Sequence, residues 1–380
     1  MMKILSLKYT DEARVWTLVE SKFERLTLLV GASGVGKTQI LQSILKLKSI
    51  SDGKSISGIN WEIEFQTLNN DTYIWSGQFE NLGDKHIYDF NDEDESKINP
   101  EIIEEQLIKN NNILVKRDKD NIYLRNEKTV KLSKNQSVLF LLREEDDIKT
   151  VTNSFRKIQM SDQTDSQSEQ FRLNIAEIGL YLKKYKTIEE IQDANLATKT
   201  KLYLVYNSVP SVFQKIKDRF SDIFPQVEDV RIEPLEDAEG LPFYLKQHPF
   251  IQIKEKGIDK WIIQGNFSSG MFRSLIHISD IFLCNEGTVF LIDEFENSLG
   301  INCINELTND ILTSNRQIQF IITSHHPYII NNIDYRNWKL VTRTKGIVKT
   351  HKPEEYRIGK SKHDAFMQLI QLDQFQTGLE

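Results

Sequence analysis

Cysteine is scarce in this sequence of 380 residues, and long apolar runs are missing. The two cysteines, Cys284 and Cys303, stand in apolar surroundings, which excludes a disulfide framework or a cysteine-rich metal cluster and fits a reducing compartment. No apolar run approaches the roughly 18 residues of a membrane-spanning helix. Lys3 and Lys8 interrupt the first apolar stretch, so it resembles an amphipathic strand rather than a signal peptide. We therefore expect a soluble, cytoplasmic protein with no membrane partner.

The charge balance is acidic, with 48 Lys+Arg against 55 Asp+Glu and a formal net charge of −7. This argues against a chain that mainly coats nucleic acid, although a local basic patch remains compatible with it. Two lysine clusters, at residues 183–186 and 199–201, are candidates for such a patch. Tyr185 is the single aromatic residue within these clusters, which does not make a stacking platform for single strands, so we expect solvated helix faces instead.

The chain alternates short strand-like and helix-like segments at both ends and changes character in the middle. We predict an N-terminal part of an α/β domain over residues 1–150, a helical insertion over 151–235, the C-terminal part of the domain over 236–352 and a helical tail over 353–380. An α/β domain divided by an insertion is the simplest account of this order.

A glycine-rich segment, Gly-Ala-Ser-Gly-Val-Gly-Lys-Thr at residues 31–38, matches the phosphate-binding pattern G-x-x-x-x-G-K-[ST]. Its glycines let successive backbone N–H groups point at phosphates, and the following helix presents its positive N-terminus. Lys37 is expected to reach the β- and γ-phosphates, and the Thr38 hydroxyl is expected to coordinate Mg²⁺. The residues predicted to bind the nucleotide are Gly31, Ser33, Gly34, Val35, Gly36, Lys37 and Thr38.

An apolar strand over residues 288–292 ends in Asp293 and Glu294. An aspartate at a strand end can hold Mg²⁺, and the adjacent glutamate can polarise a water for attack on a γ-phosphate. Strands that simply stop at such a polar turn are also common.

Two other segments of the second half contribute candidates. Ser268, Ser269 and Gly270 precede an apolar helical stretch, where they form either an anion-binding helix start or an ordinary serine cap. His325 and His326 follow the strand over residues 317–323, where a histidine can contact a γ-phosphate or serve the structure alone.

The ordered set of motifs resembles the ATP-binding-cassette (ABC) type ATPases, in the branch with SMC-like, RecF-like and overcoming-lysogenization-defect (OLD) proteins. Most of the chain is similar to compact bacterial OLD-like ATPases. The resemblance implies an ABC-type P-loop NTPase domain with a mixed central sheet, an antiparallel β subdomain and a helical insertion. It also implies a head-to-tail homodimer, or a higher assembly, that sandwiches two ATP molecules.

In that arrangement the phosphate loop of one chain faces Ser268, Ser269 and Gly270 of the other. The resemblance assigns Mg²⁺ to Asp293, the general base to Glu294 and the γ-phosphate contact to His325, which directly follows the strand end. The D-loop, which connects the two sites, corresponds to residues 297–299. Gly300 follows it where Asp or His is usual. Ser268, Ser269 and Gly270 correspond to the signature motif of the family, and the second serine, Ser269, departs from the commoner form of that motif.

These motifs predict an ATPase whose ATP-bound dimer is a clamp or switch for a partner effector in antiphage defence. About 50 residues follow His326, too few for another catalytic domain, so a nuclease would be a separate protein. The alternative is a RecF- or SMC-like repair ATPase that binds DNA directly. A small-molecule kinase leaves the later motifs unexplained, and no guanine-reading N/T-K-x-D motif supports a GTPase.

Overall fold

The computed structural model describes residues 2–83, 99–161, 175–235, 248–297, 299, 301–313, 315–359 and 361–380. The chain divides into two compact units. The first unit comprises Met1–Met160, Glu286–Phe295 and Asn315–Glu380, and the second comprises Ser161–Asn285 and Glu296–Ser314. The domain boundaries that we expected from the sequence stay a prediction.

The described residues form strands and helices throughout both units. The strands are β1 (Lys3–Asp11), β2 (Trp16–Lys22), β3 (Leu26–Val30), β4 (Ile59–Gln66), β5 (Thr72–Phe79), β6 (Ile102–Lys109), β7 (Asn112–Arg117), β8 (Ile122–Leu124), β9 (Glu127–Lys128), β10 (Ile158–Met160), β11 (Val227–Pro234), β12 (Pro249–Glu255), β13 (Trp261–Ile263), β14 (Val289–Ile292), β15 (Gln319–Thr323), β16 (Trp338–Thr344) and β17 (Ile347–His351). The helices are α1 (Lys37–Ser51), α2 (Val138–Leu141), α3 (Asp146–Arg156), α4 (Ile175–Lys184), α5 (Ile188–Asp193), α6 (Thr198–Ser208), α7 (Pro210–Ile223), α8 (Ser269–Leu283), α9 (Ile301–Thr313), α10 (Pro327–Asn332), α11 (Lys362–Ile370) and α12 (Asp373–Thr377).

A mixed sheet of 14 strands runs through the first unit in the order β10-β14-β15-β3-β16-β17-β2-β1-β4-β5-β6-β7-β8-β9. Neighbours from β10 to β16 are parallel, and every residue of β3, β14 and β15 is buried, as expected for strands covered on both faces. From β2 to β9 the neighbours are antiparallel, and β4 and β5 alternate buried with exposed or half-buried residues. The predicted α/β class with a mixed sheet and an antiparallel part is confirmed.

Helices α1 and α3 supply the apolar faces of the first unit's core. The spacing of Ile40, Leu41, Ile44 and Leu45 predicts a helix with one apolar face. In α1 the first three are buried and Leu45 is half-buried. Phe155 of α3 makes edge-to-face contacts with Phe65 and with Trp75, both with ring centroids 5.2 Å apart. Such aromatic pairs stabilise by about 0.5–1.5 kcal/mol beyond the burial of their area.

The second unit contains α4 to α9 and the antiparallel sheet β11-β12-β13. Residues 175–223 are largely helical, as the periodicity indicated, but strands β10 and β11 lie within the segment predicted as a helical insertion. Helix α7 buries Phe213, Ile216, Phe220 and Ile223 on one face. On another side of α7, Arg219 pairs with Glu306 at 2.9 Å and Asp310 at 2.8 Å, which ties α7 to α9.

One prediction about basic residues was wrong. Lys199 and Lys201 are 4% and 5% exposed, so they are not part of a solvated face. The Lys199 ammonium lies 5.0 Å from the ring centroid of Phe272, and the Lys201 ammonium donates to the Gln192 carbonyl at 2.8 Å. Burial lowers the pKa of Lys201. The long apolar stems of both lysines fill helix–helix contacts, which charge counting along the sequence does not reveal.

Both cysteines are buried, and neither forms a disulfide. In the parts of the chain that the structure describes, no helix combines the length and the apolar character that crossing a bilayer requires.

Candidate functional site

The glycine-rich loop lies between β3 and α1, as its pattern requires, and it passes very close to strand β16. A Cβ on Gly31 would stand 2.6 Å from the Val341 carbonyl oxygen, so only glycine fits there. Gly36 takes the left-handed conformation at φ 104° and ends the loop as the N-cap of α1. The sequence therefore produces a tight loop that delivers the chain directly into a helix N-terminus, the geometry that binds phosphate.

Lys37 occupies the first position of α1 and folds back over the loop. Its ammonium donates to the carbonyls of Gly31 at 2.9 Å and Ala32 at 2.8 Å, and the residue is 5% exposed. The positive charge is therefore held against the beginning of the loop, where the motif places the phosphates of a nucleotide.

The ends of three neighbouring strands bring an acidic side chain to the start of α1. The Thr38 hydroxyl donates to the carboxylate of Asp293, at 2.9 Å to Oδ2 and 3.1 Å to Oδ1. Because β14, β15 and β3 are parallel neighbours, their carboxyl ends meet at one edge of the sheet. A hydroxyl and a carboxylate fit Mg²⁺, which prefers oxygen ligands and takes the rest of its shell from phosphate and water.

Thr323, at the end of β15, is a site residue that reasoning from the sequence missed. Its hydroxyl donates to Asp293 Oδ1 at 2.6 Å and accepts from the Glu294 backbone N–H at 2.8 Å. It is 1% exposed. One buried hydroxyl thus fixes both the carboxylate orientation and the backbone that follows it. The only sequence signal was a hydroxyl residue at the end of the neighbouring strand.

The backbone turns sharply at Glu294, which has φ 46°. A left-handed conformation in a residue with a side chain is strained by roughly 1–3 kcal/mol. The Thr323 hydroxyl holds the turn, and the Phe295 N–H bonds the Thr323 carbonyl at 3.1 Å. Asp293 is consequently half-buried against Thr38, while the adjacent Glu294 is exposed.

The two histidines after β15 differ in what they do. His326 accepts from the Tyr328 backbone N–H through Nδ1 at 3.3 Å and caps α10. Its own N–H bonds the buried Ser324 hydroxyl at 3.0 Å. His325 is exposed. The structure therefore gives His326 a local structural task.

The serine-glycine segment lies in the second unit and begins α8. The Ser268 hydroxyl accepts from the Met271 N–H at 3.2 Å and caps the helix. Ser268 and Ser269 are exposed and Gly270 is half-buried, while Phe267 on the preceding side is 6% exposed. Of the predicted D-loop, residue 298 lies outside the described residues, as does the following residue 300.

Residues 26–331 match a family model described as "AAA domain, putative AbiEii toxin, Type IV TA system". The chain belongs to this AAA family. The match spans the loop, the Asp293 strand and both histidines, and it confirms the predicted ABC-type, SMC/RecF-like class of ATPase domain. The narrower likeness to OLD proteins stays a prediction. No curated protein matches the chain.

Solved structures similar to this AAA-family chain include three Smc head domains. The head from Pyrococcus yayanosii, crystallised with a coiled coil and joint, is 11% identical over 97% of this chain and 99% of its own, with a TM-score of 0.48. The head from Pyrococcus furiosus, bound to the C-terminal domain of ScpA, is 15% identical over 93% and 98%, with a TM-score of 0.46. The head from Thermotoga maritima is 12% identical over 92% and 98%, with a TM-score of 0.44. The assignment rests on the family match.

Proposed function

We propose that this chain binds and hydrolyses MgATP at the 31–38 loop and that ATP-dependent dimerisation controls a separate effector protein. The observation that carries the proposal is the contact between the Thr38 hydroxyl and the Asp293 carboxylate at 2.9 Å, beside the Lys37 ammonium. A phosphate-binding helix start, a fixed cation and an oxygen pair suited to Mg²⁺ converge there.

Each predicted site residue of the first unit then has a defined role. The loop N–H groups and Lys37 bind the phosphates, and Thr38 and Asp293 hold Mg²⁺, which neutralises charge on the phosphates when bound. Glu294 is exposed beside Asp293, so its carboxylate is available to accept a proton from the attacking water. His325 contacts the γ-phosphate, and this assignment is supported by the commitment of His326 to the α10 cap.

The helix start in the second unit supports a role in closing the nucleotide site of a second copy. Ser268 and Ser269 are exposed at the N-terminus of α8, whose dipole favours a negative ligand. We propose that Ser268, Ser269 and Gly270 contact the γ-phosphate bound by the partner chain, in a head-to-tail dimer.

The partner that we propose for the dimer is a separate effector protein. The family description names a toxin–antitoxin system, and one similar Smc head was crystallised with a domain of another protein, ScpA. These names support a partnered ATPase and, with the OLD-like resemblance, a role in antiphage defence. The repair alternative with direct DNA binding has less support, because Lys199 and Lys201 are buried.

The test compares Glu294→Gln with the wild type. Loss of a general base slows hydrolysis about 100-fold or more, so ATP should persist and a dimer should accumulate in size-exclusion chromatography with light scattering. Lys37→Ala should abolish ATP binding and the dimer. Unchanged phosphate release in Glu294→Gln, or an oligomeric state that ATP never alters in either protein, would contradict the proposal. Stimulation of hydrolysis by DNA would favour the repair alternative.

A further inference from the structure

A short segment after α12 touches the phosphate loop. Gly378 follows α12 and adopts φ 75°. A Cβ on this glycine would stand 2.3 Å from Val35 Cγ1 and 3.2 Å from the Ala32 Cβ. The Gly378 backbone is therefore in contact with two side chains of the loop, and Val35 is only 4% exposed.

A hydrogen bond from β16 and an ion pair with β17 hold this segment in place. The Gly378 carbonyl accepts from the Arg343 backbone N–H at 2.8 Å, and the Arg343 guanidinium extends to the Gly34 carbonyl at 3.4 Å. Lys349 of β17 pairs with the Glu380 carboxylate at 2.5 Å. Strands β16 and β17 thus fix the segment, and Arg343 joins both the segment and the loop to β16.

We infer that residues 378–380 are a positioning element that keeps the phosphate loop in its nucleotide-binding shape. The loop binds phosphate through backbone N–H groups, so its affinity depends on how well their directions are set before the ligand arrives. The Val35 side chain packs directly against Gly378. Any displacement of Gly378 is passed through Val35 to the backbone N–H groups on either side of it. This inference rests on the proposed function, because it requires that the 31–38 loop binds the nucleotide.

The experiment uses a clash at Gly378 and a control with equal backbone strain. Gly378→Ala places a methyl group 2.3 Å from Val35 Cγ1. Gly257→Ala introduces alanine at nearly the same dihedral angle, φ 76°, with nothing within 4 Å. Both variants bear the left-handed strain, but only the first pushes on the loop. Calorimetric titration with MgATP should give a Kd about tenfold or more weaker for Gly378→Ala and an unchanged Kd for Gly257→Ala.

Two further variants separate positioning from general damage. Val35→Ala combined with Gly378→Ala removes the clashing Cγ1 and should recover most of the affinity that Gly378→Ala loses. Deletion of residues 378–380 removes the contact without any strain and should also weaken binding. Circular dichroism and thermal unfolding establish that each variant is folded.

The outcomes distinguish this inference from the proposed function. If the wild type binds MgATP and both Gly378→Ala and the deletion bind it equally well, the positioning role is wrong and the proposed function stands. If the wild type and Gly257→Ala do not bind MgATP, the proposed function fails first, and the inference falls with it. A double variant no better than Gly378→Ala would also contradict transmission through Val35.

Discussion

Replacement of Thr323 by valine tests the arrangement around Asp293 most directly. The two side chains have nearly the same shape, and the residue is 1% exposed, so the substitution removes a hydroxyl with little change in packing. Two hydrogen bonds are lost: the one donated to Asp293 Oδ1 at 2.6 Å and the one accepted from the Glu294 N–H at 2.8 Å.

The expected loss of stability is the sum of the contributions of these two hydrogen bonds and of the methyl group that replaces the hydroxyl. A hydrogen bond to a charged carboxylate contributes roughly 1.5–3 kcal/mol, and a partly buried N–H left without an acceptor costs roughly 1–3 kcal/mol. Burial of the methyl group that valine adds stabilises the folded state by about 0.8 kcal/mol. We expect the free energy of unfolding to fall by about 2–5 kcal/mol. Because Asp293 loses a fixed partner, we also expect ATP turnover or the apparent Mg²⁺ affinity to fall about 10–100-fold.

Urea unfolding followed by tryptophan fluorescence measures the first quantity, and phosphate release at varied Mg²⁺ measures the second. Thr323→Ser is the matched control, because it keeps both hydrogen bonds and loses only a methyl group, worth about 1 kcal/mol. The reasoning is refuted if Thr323→Val is as stable and as active as Thr323→Ser.

Three other perturbations have outcomes that follow from named contacts. Burial, with a smaller effect of Arg273, lowers the pKa of His277 to about 3, so between pH 6.5 and 3 only the unfolded state takes up this proton. The free energy of unfolding should therefore fall with decreasing pH, by up to about 1.4 kcal/mol per unit from this group, and His277→Gln should show a shallower pH dependence in urea titrations. Hydrogen bonds from Lys109 and Arg125 lower the pKa of Asp147, so their stabilisation is present at neutral pH and disappears in acid below that pKa. Lys109→Met should lose about 1 kcal/mol at pH 7 and nothing in strong acid; an equal loss at both pH values would show that the ion pair is not responsible. Gly31→Ala should abolish nucleotide binding in fluorescence titrations, because its Cβ would stand 2.6 Å from the Val341 carbonyl, and wild-type affinity in this variant would mean that the loop is not confined by β16.

Local patterns predicted a large part of the fold correctly. The apolar run before the glycine-rich loop is strand β3. The spacing of Ile40, Leu41, Ile44 and Leu45 predicted the inner face of α1, where the first three are buried and Leu45 is half-buried. These predictions succeeded because strand burial and helix periodicity both depend on residues that are close together in the sequence. Strand β10 was not predicted, since three residues carry no period and its pairing with β14 joins segments far apart in the chain.

The burial of Lys199 and Lys201 also lay beyond local reasoning. A lysine in a sequence usually indicates a solvent-exposed position. Its apolar stem can nevertheless fill a contact between helices when a neighbour such as Phe272 covers the ammonium of Lys199. The contact of Gly378 with Val35 is a further case, because 343 positions separate the two residues along the chain. No local pattern identifies a glycine that must lack a Cβ because a residue far away in the sequence packs against it.

The amino-acid sequence by itself determined the phosphate loop, the apolar strand that ends in Asp293 and Glu294, and the α/β class. Each of these depends on the identity and spacing of residues within one segment. Only the tertiary structure decided that the Thr38 hydroxyl faces Asp293, that Thr323 orients this carboxylate, and that Gly378 packs against the loop. Parallel strands bring their ends together whatever their separation along the chain, so the partners within the site are set by strand order rather than by sequence distance.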